Sequence, residues 1–121
     1  MVHDLNREPV LPFADGSFDA VICTASVEYL LDPRRAAREI GRVLRPGGVA
    51  ALSFSNRWFP PKAVRLWTDL HEFERLGLAA ALLAGSGCFD DITTLSRRGA
   101  PRPSDDPHWQ LPFSDPLYMV W

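Results

Sequence analysis

The sequence predicts an α/β fold in which one helix connects two parallel strands. Residues 18–25, FDAVICTA, form a nearly continuous apolar run between turn residues, which is typical of a parallel strand covered on both faces. Residues 33–44 carry apolar side chains at helical spacing, and a second apolar run, VAALSF at 49–54, follows directly. Strand, helix and strand in this order form a βαβ unit with a right-handed crossover, so the two strands are expected to be parallel neighbours.

Local signals place both ends of the connecting helix. Asp32 is suited to be the N-cap, and Pro33 fits the first helical position because that position needs no backbone donor. The sequence RPGG at 45–48 supplies a cation, a helix breaker and glycines that can adopt left-handed conformations. The apolar face of the helix is expected to consist of Ala36, Ala37, Ile40, Val43 and Leu44.

The second half of the chain predicts more helix and two further strands. Residues 60–85 favour one long kinked helix or two short ones, with Gly77 as a possible break and Trp67 in the core. Ile92 to Leu95 is a short β-branched run, and residues 97–114 form a loop rich in proline and aspartate. The terminal run PLYMVW predicts a last strand inserted into the sheet.

Composition and charge narrow the function classes. With 46% hydrophobic and 23% charged residues, the chain is expected to fold around a core. A net charge of -2 gives no overall attraction to nucleic acid, and the arginines of the first helix are expected to form its solvated face. No apolar run is long enough for a membrane span and no signal peptide is recognisable, so a cytoplasmic protein is expected. Cys23 and Cys88 lack metal-binding spacing and are expected to be buried free thiols, with no metal site.

Three segments resemble a known enzyme family. LPFADGSFDAVIC, DPRRAAREIGRVLRPGG and VAALSFSN are similar to the fourth strand, the following helix and the fifth strand of class I S-adenosylmethionine-dependent methyltransferases of the type 11 group. The resemblance covers the C-terminal two-thirds of such a domain, without its glycine-rich cofactor loop. It implies one N-terminally truncated domain, residues 1–121, with a partial Rossmann-like sheet: parallel strands with flanking helices and an antiparallel last strand.

The resemblance implies S-adenosylmethionine as cofactor and methyl transfer to a small-molecule acceptor. Asp4 stands where the family's acid accepts a hydrogen bond from the adenine amino group, and Leu5 where a side chain lines the base; alternatively, Asp4 is a solvent-exposed residue. Ala25, Ser26 and Val27 follow the carboxyl end of the first strand, where open α/β sheets bind ligands. Their backbone groups are expected to face the cofactor.

Candidate acceptor-binding residues follow the same two strands. Glu28 and Tyr29 could orient a nucleophile or hold a substrate amine, or act as a helix-start acid and a hydrophobic anchor. Ser55 and Asn56 end the second strand and are equally common turn residues, while Trp58 could wall an apolar pocket. No catalytic base is recognisable, and a sulfonium leaving group makes one optional.

A second function class stays open at this point. In the family's strand order another strand lies beside residues 18–25, so this strand would have an unpaired edge in the isolated chain. The alternative is therefore a non-catalytic α/β module or fragment that pairs with another chain through this edge. Self-association or binding of a complementary fragment is expected.

Overall fold

The computed structural model describes all residues from 1 to 121 and contains one mixed four-stranded sheet with helices. The strand order is β1-β2-β4-β3; β1 and β2 are parallel, and β4 is antiparallel to both β2 and β3. The elements in chain order are β1 (Phe18–Thr24), α1 (Pro33–Val43), β2 (Leu44–Phe54), α2 (Arg65–Asp69), α3 (Glu72–Ser86), β3 (Thr94–Arg97) and β4 (Leu117–Val120). This confirms the predicted α/β class.

The predicted βαβ unit is present. β1 and β2 pair in parallel along their length, with Val21 opposite Ala50 and Cys23 opposite Leu52. α1 begins at Pro33, and the Asp32 side chain accepts a hydrogen bond from the Arg35 amide at 3.0 Å, as expected for an N-cap. The face predicted to be apolar is buried: Ala36, Ala37, Ile40, Val43 and Leu44.

The end of α1 differs from the prediction. Leu44 is already extended, with φ -79° and ψ 141°, and its side chain is buried, so the chain enters the sheet directly from the helix. β2 therefore begins at Leu44 rather than at residue 49, and residues 45–48 form an irregularity opposite the step from Phe18 to Ala20. Gly47, with φ +79°, adopts the left-handed conformation inside this irregularity and not at the helix terminus.

The helical region between β2 and β3 breaks at His71, not at Gly77. The His71 amide donates to Glu74 Oε2 at 2.6 Å, and the His71 ring accepts from the Phe73 amide at 3.4 Å. This reciprocal capping box starts a new helix, α3, which continues through Gly77 to Ser86. Trp67 is buried as predicted.

One face of the sheet is covered and the other is not. α1 and α3 pack against each other on the face that carries Leu52 and Phe54. On the opposite face Ile22 is 76% exposed, so the prediction that β1 is covered on both faces is wrong for this chain. The outer edge of β1 is also unpaired, because β2 is its only neighbour in the sheet.

The last strand takes its predicted place. β4 lies between β2 and β3, with Tyr118 opposite Phe54 and Val120 opposite Leu52. Both Tyr118 and Val120 are fully buried. Cys88 directly follows Gly87, the left-handed residue that ends α3, and it is exposed, which corrects the expectation of two buried thiols. None of the helices has both the length and the apolar character that crossing a bilayer requires.

Candidate functional site at the carboxyl rim

The carboxyl ends of β1 and β2 meet at one edge of the sheet, which we call the carboxyl rim (residues 24–29 and 53–58). Thr24 lies opposite Ser53, and Ser53 Oγ donates to Thr24 Oγ1 at 2.9 Å. The Ala25 amide donates to the Ser53 carbonyl at 2.8 Å, which extends the pairing one residue past β1. These bonds fix the two loops of the rim relative to each other.

The backbone turns sharply at Ala25. Its φ is +47°, and the remaining residues with positive φ are all glycines. A left-handed alanine costs about 1–2 kcal/mol, and such strain is concentrated at functional sites. Ser26 Oγ donates to the Thr24 carbonyl at 2.7 Å and closes the turn. Ala25 and Ser26 are exposed, whereas the side chain of Val27 belongs to the core.

Glu28 is a buried carboxyl group in the short 3-10 turn that follows. It is 1% exposed, and its Oε2 is the one buried side-chain polar atom without a hydrogen-bond partner. Burial raises the pKa of Glu28, although hydrogen bonding from its own backbone partly opposes the shift. Burial, with a smaller contribution from the Glu28 charge, also raises the pKa of the nearby Cys23 thiol to about 11. Glu28 therefore retains its proton to a higher pH than an exposed glutamate.

Tyr29 connects three segments around the rim. Its hydroxyl accepts from the Phe59 amide at 3.0 Å, and its carbonyl accepts from Asn6 Nδ2 at 2.9 Å. Asn6 Oδ1 in turn accepts from the Leu31 amide at 2.8 Å. The structure thus places Tyr29 as an anchor between loops, and it holds the N-terminal segment beside the loop after β1.

Asp4 and Leu5 lie in the N-terminal segment that Asn6 fixes. Asp4 is exposed, and its Oδ1 accepts from the Asn6 amide at 3.0 Å. Leu5 is half-buried. Asn6 was not among the residues selected from the sequence, because nothing local distinguishes an asparagine that bonds to residues far along the chain.

The loop after β2 carries the other candidates. Ser55 Oγ accepts from the Arg57 amide at 3.1 Å, as in an ordinary turn, and Asn56 is exposed. The Trp58 ring is half-buried beneath the guanidinium of Arg75, whose central carbon lies 4.1 Å from the ring centroid. Ser55, Asn56 and Trp58 therefore lie along one loop, with Trp58 turned toward α3.

Arg75 is a charged residue that sequence reasoning missed. The residue is 5% exposed, and its Nε donates to the Trp67 carbonyl at 2.9 Å. Burial lowers the pKa of Arg75, while the charges of Glu72 and Glu74 partly oppose that shift. Position 75 does not fall on the apolar face that helical spacing predicts for this region. Nothing in the sequence therefore distinguishes its arginine from a solvent-exposed one.

Known proteins are similar to this chain in sequence and in fold. A family model described as a methyltransferase domain matches residues 2–52. An uncharacterized methyltransferase of Mycobacterium sp. (strain JLS) is 47% identical over 51 residues, 42% of this chain and 20% of the relative. Another from Mycolicibacterium gilvum (strain PYR-GCK) is 32% identical over 96 residues, 79% of this chain and 32% of the relative.

A solved structure shares the fold. The crystal structure of a SAM-dependent methyltransferase from Thermotoga maritima, a possible histamine N-methyltransferase, has a TM-score of 0.60 and 20% identity, over 91% of this chain and 57% of that chain. This chain is thus similar to a methyltransferase domain over residues 2–52, and it shares the fold of an S-adenosylmethionine-dependent methyltransferase.

The match to methyltransferases covers only part of the relatives and part of this chain. This chain spans less than two thirds of the curated relatives it matches, 20% and 32% of the two above. The family model covers Asp4, Leu5 and the whole loop from Ala25 to Tyr29. Ser55, Asn56, Trp58 and Arg75 lie outside that match.

S-adenosylmethionine is the cofactor of this methyltransferase family. Ala25 and Ser26 form an exposed turn at the carboxyl end of a parallel strand, which is where open α/β sheets bind their ligands. No group of three histidine, cysteine, aspartate or glutamate side chains is arranged to bind a metal ion.

Proposed function

We propose that this chain carries part of the cofactor and acceptor site of a methyltransferase that acts on a small molecule. The observation that carries the proposal is the carboxyl rim, where two adjacent parallel strands end side by side and the Ala25 turn is held in a strained conformation. Ligands of open α/β sheets bind outside the carboxyl ends of the strands. The similarity to methyltransferases supports S-adenosylmethionine as the ligand of this rim.

On the cofactor side we assign Asp4, Leu5, Ala25, Ser26 and the backbone of Val27. Asn6 supports this grouping, because its two hydrogen bonds hold the N-terminal segment against residues 29 and 31. Only one oxygen of the Asp4 carboxylate is used within the chain, so the other is free to accept from a ligand amine. Ala25 and Ser26 are exposed at the rim.

On the acceptor side we assign Glu28, Tyr29, Ser55, Asn56 and Trp58. When bound, S-adenosylmethionine supplies an electrophilic methyl group on a sulfonium sulfur. The chain's own contribution is to hold the acceptor's nucleophilic atom in line and to exclude water, which accounts for much of the rate of such reactions. Glu28 can hold a proton beside the rim, because its burial favours the neutral carboxyl.

Titration calorimetry of the chain with S-adenosylmethionine tests this proposal. We expect saturable binding that weakens at least tenfold in Asp4→Ala, because that variant lacks the carboxylate assigned to the adenine amine. Asp105→Ala is the matched control, since Asp105 is exposed in the loop between β3 and β4, has no ion pair within the chain and should leave binding unchanged. A chain that is folded by circular dichroism but shows no saturable binding would overturn the proposal.

A second candidate function has its own supporting observation. The outer edge of β1 offers unpaired backbone groups, and Ile22 beside it is 76% exposed. Such an edge pairs readily with another strand. We propose that a strand of a second copy, or of a complementary chain, pairs with it; this is compatible with methyl transfer, because the added strand would extend the sheet that forms the rim.

A further inference from the structure

Arg75 is buried without an acidic partner, which sets it apart from the other hidden arginine. The Arg102 side chain is 6% exposed and lies within ion-pair distance of both Asp106 and Asp115. Arg75 is buried to a similar degree, yet it takes part in none of the chain's ion pairs. A buried guanidinium is usually paired, because desolvation of an unpaired charge is costly.

The carboxylates nearest to Arg75 are engaged elsewhere. Glu72 accepts a hydrogen bond from the Tyr118 hydroxyl and also pairs with Arg98 at 3.3 Å. Glu74 accepts from the His71 amide in the capping box of α3. The charges of Glu72 and Glu74 make the potential around Arg75 more negative, but neither carboxylate forms an ion pair with the guanidinium.

Most of the Arg75 donors are free for a ligand. A guanidinium has five N–H donors, and within the chain the one hydrogen bond of this side chain runs from Nε to the Trp67 carbonyl. Its terminal nitrogens form no hydrogen bond within the chain, and they are not among the fully buried atoms that lack a partner. Arg75 is therefore largely enclosed, with four of its five donors unpaired within the chain.

The surroundings of Arg75 connect it to the carboxyl rim. Its guanidinium lies over the Trp58 ring at 4.1 Å, and Trp58 belongs to the loop that follows β2. The next residue, Phe59, donates its amide to the Tyr29 hydroxyl, which ties this loop to the one that carries Glu28. Stacking on tryptophan fixes the plane of the guanidinium and pre-organises its donors.

We propose that Arg75, supported by Trp58, binds a carboxylate group of the methyl acceptor. An arginine with a fixed plane matches a carboxylate through two parallel hydrogen bonds, which gives orientation as well as attraction. The substrate class is thus a small organic acid. This inference rests on the proposed function, because it names the chemistry of the acceptor for the same site.

Tryptophan fluorescence reports on this site directly, because Arg75 lies against both Trp58 and Trp67. The probe is sodium acetate, added at constant ionic strength against sodium chloride. We expect a saturable change in emission with a Kd of about 1–10 mM, in the range of weak small-ligand binding. Inorganic phosphate is run in parallel, and we expect it to bind at least threefold more weakly than acetate, because the charges of Glu72 and Glu74 disfavour the more highly charged anion.

Three variants complete the experiment. Arg75→Gln should weaken acetate binding at least tenfold, whereas Arg35→Gln, on the exposed side of α1, should not change it. If Arg75→Gln does not fold, Arg75→Lys decides the matter, because it keeps the charge and loses the paired donors; at least threefold weaker binding is expected. No saturable change in the wild-type chain, equal effects of acetate and chloride, phosphate binding as tightly as acetate, or unchanged binding in a folded Arg75 variant would overturn the inference.

The same preparation separates this inference from the proposed function. Binding of S-adenosylmethionine without acetate binding would reject the acid-binding site alone. Acetate binding that depends on Arg75, without binding of S-adenosylmethionine, would reject the cofactor site while upholding an acid-binding site on this chain.

Discussion

Ser53 Oγ donates a hydrogen bond to Thr24 Oγ1 at 2.9 Å, and this contact joins the last residue of β1 to the last residue but one of β2. Ser53 is buried, while Thr24 is exposed. The carboxyl rim is thus held by side chains in addition to the backbone bonds of the sheet. Its shape depends on a contact that a single substitution removes.

Replacing Ser53 with alanine should lower the free energy of unfolding by about 0.5–1.5 kcal/mol, the usual net value of one hydrogen bond. The loss stays small because Thr24 can bond to water instead. Urea denaturation measures it. Ser104→Ala, an exposed loop substitution with no hydrogen bond to lose, should stay within about 0.5 kcal/mol of wild type. Equal effects of the two substitutions would show that the Ser53 contact adds nothing.

Replacing Ala25 with glycine should stabilise the fold by about 0.5–1 kcal/mol. The φ of +47° is unfavourable for alanine and readily adopted by glycine, and this gain exceeds the added entropy of the unfolded chain. Thermal and urea denaturation provide the measurement. Ala81→Gly, in the exposed middle of α3, should instead destabilise by about 1 kcal/mol. Destabilisation by both substitutions would mean that Ala25 is not strained.

Glu28 should make the fold less stable as the pH rises. Its pKa is raised in the native state, so between the ordinary glutamate pKa and the raised value the native state binds more protons than the unfolded state. The free energy of unfolding then falls with rising pH across that window, by at most about 1.4 kcal/mol per pH unit, and levels off above it.

Two neutral substitutions test this pH dependence. Glu28→Gln and Glu28→Leu both remove the titrating group, so the stability of each relative to wild type should increase with pH over the same window. Urea denaturation at a series of pH values from about 4 to 8 gives the comparison. A difference from wild type that stays constant with pH in both variants would contradict the raised pKa.

The unpaired edge of β1 should make the chain self-associate. Sedimentation velocity over a wide concentration range should show species larger than the monomer, because an exposed apolar strand edge is a template for pairing. Ile22→Lys places a charge beside that edge and should shift the equilibrium toward monomer. Val10→Lys, at an exposed position outside the strands and helices, is the control. A wild-type chain that remains monomeric throughout would reject this prediction.

The elements that the sequence predicts correctly are those specified by local signals. The apolar run of β1, the Asp32 cap and the terminal strand each depend on residues within a few positions of one another. The break at His71 escaped prediction because a histidine seldom caps a helix, and Gly77 is the more usual signal for a break. The early start of β2 depends on burial of Leu44, which only the assembled core decides.

The candidate site was predictable to a smaller extent. Its location follows from the βαβ pattern, because the ends of parallel strands share one edge. The burial of Arg75 could not be predicted from the sequence, since it depends on Trp58 and Trp67, which belong to separate segments. The burial of Glu28 likewise depends on residues from other parts of the chain. One of them is Val64, whose amide donates to the backbone carbonyl of Glu28.

The two bonds of Asn6 impose a chemical requirement on position 6. One bond needs a side-chain donor, toward the Tyr29 carbonyl, and the other needs an acceptor, toward the Leu31 amide. A carboxylate supplies only the second and an ammonium only the first. A primary amide on a short side chain provides both the donor and the acceptor. Aspartate, although nearly identical in shape, would lose the bond to the Tyr29 carbonyl and hold the N-terminal segment by one bond instead of two.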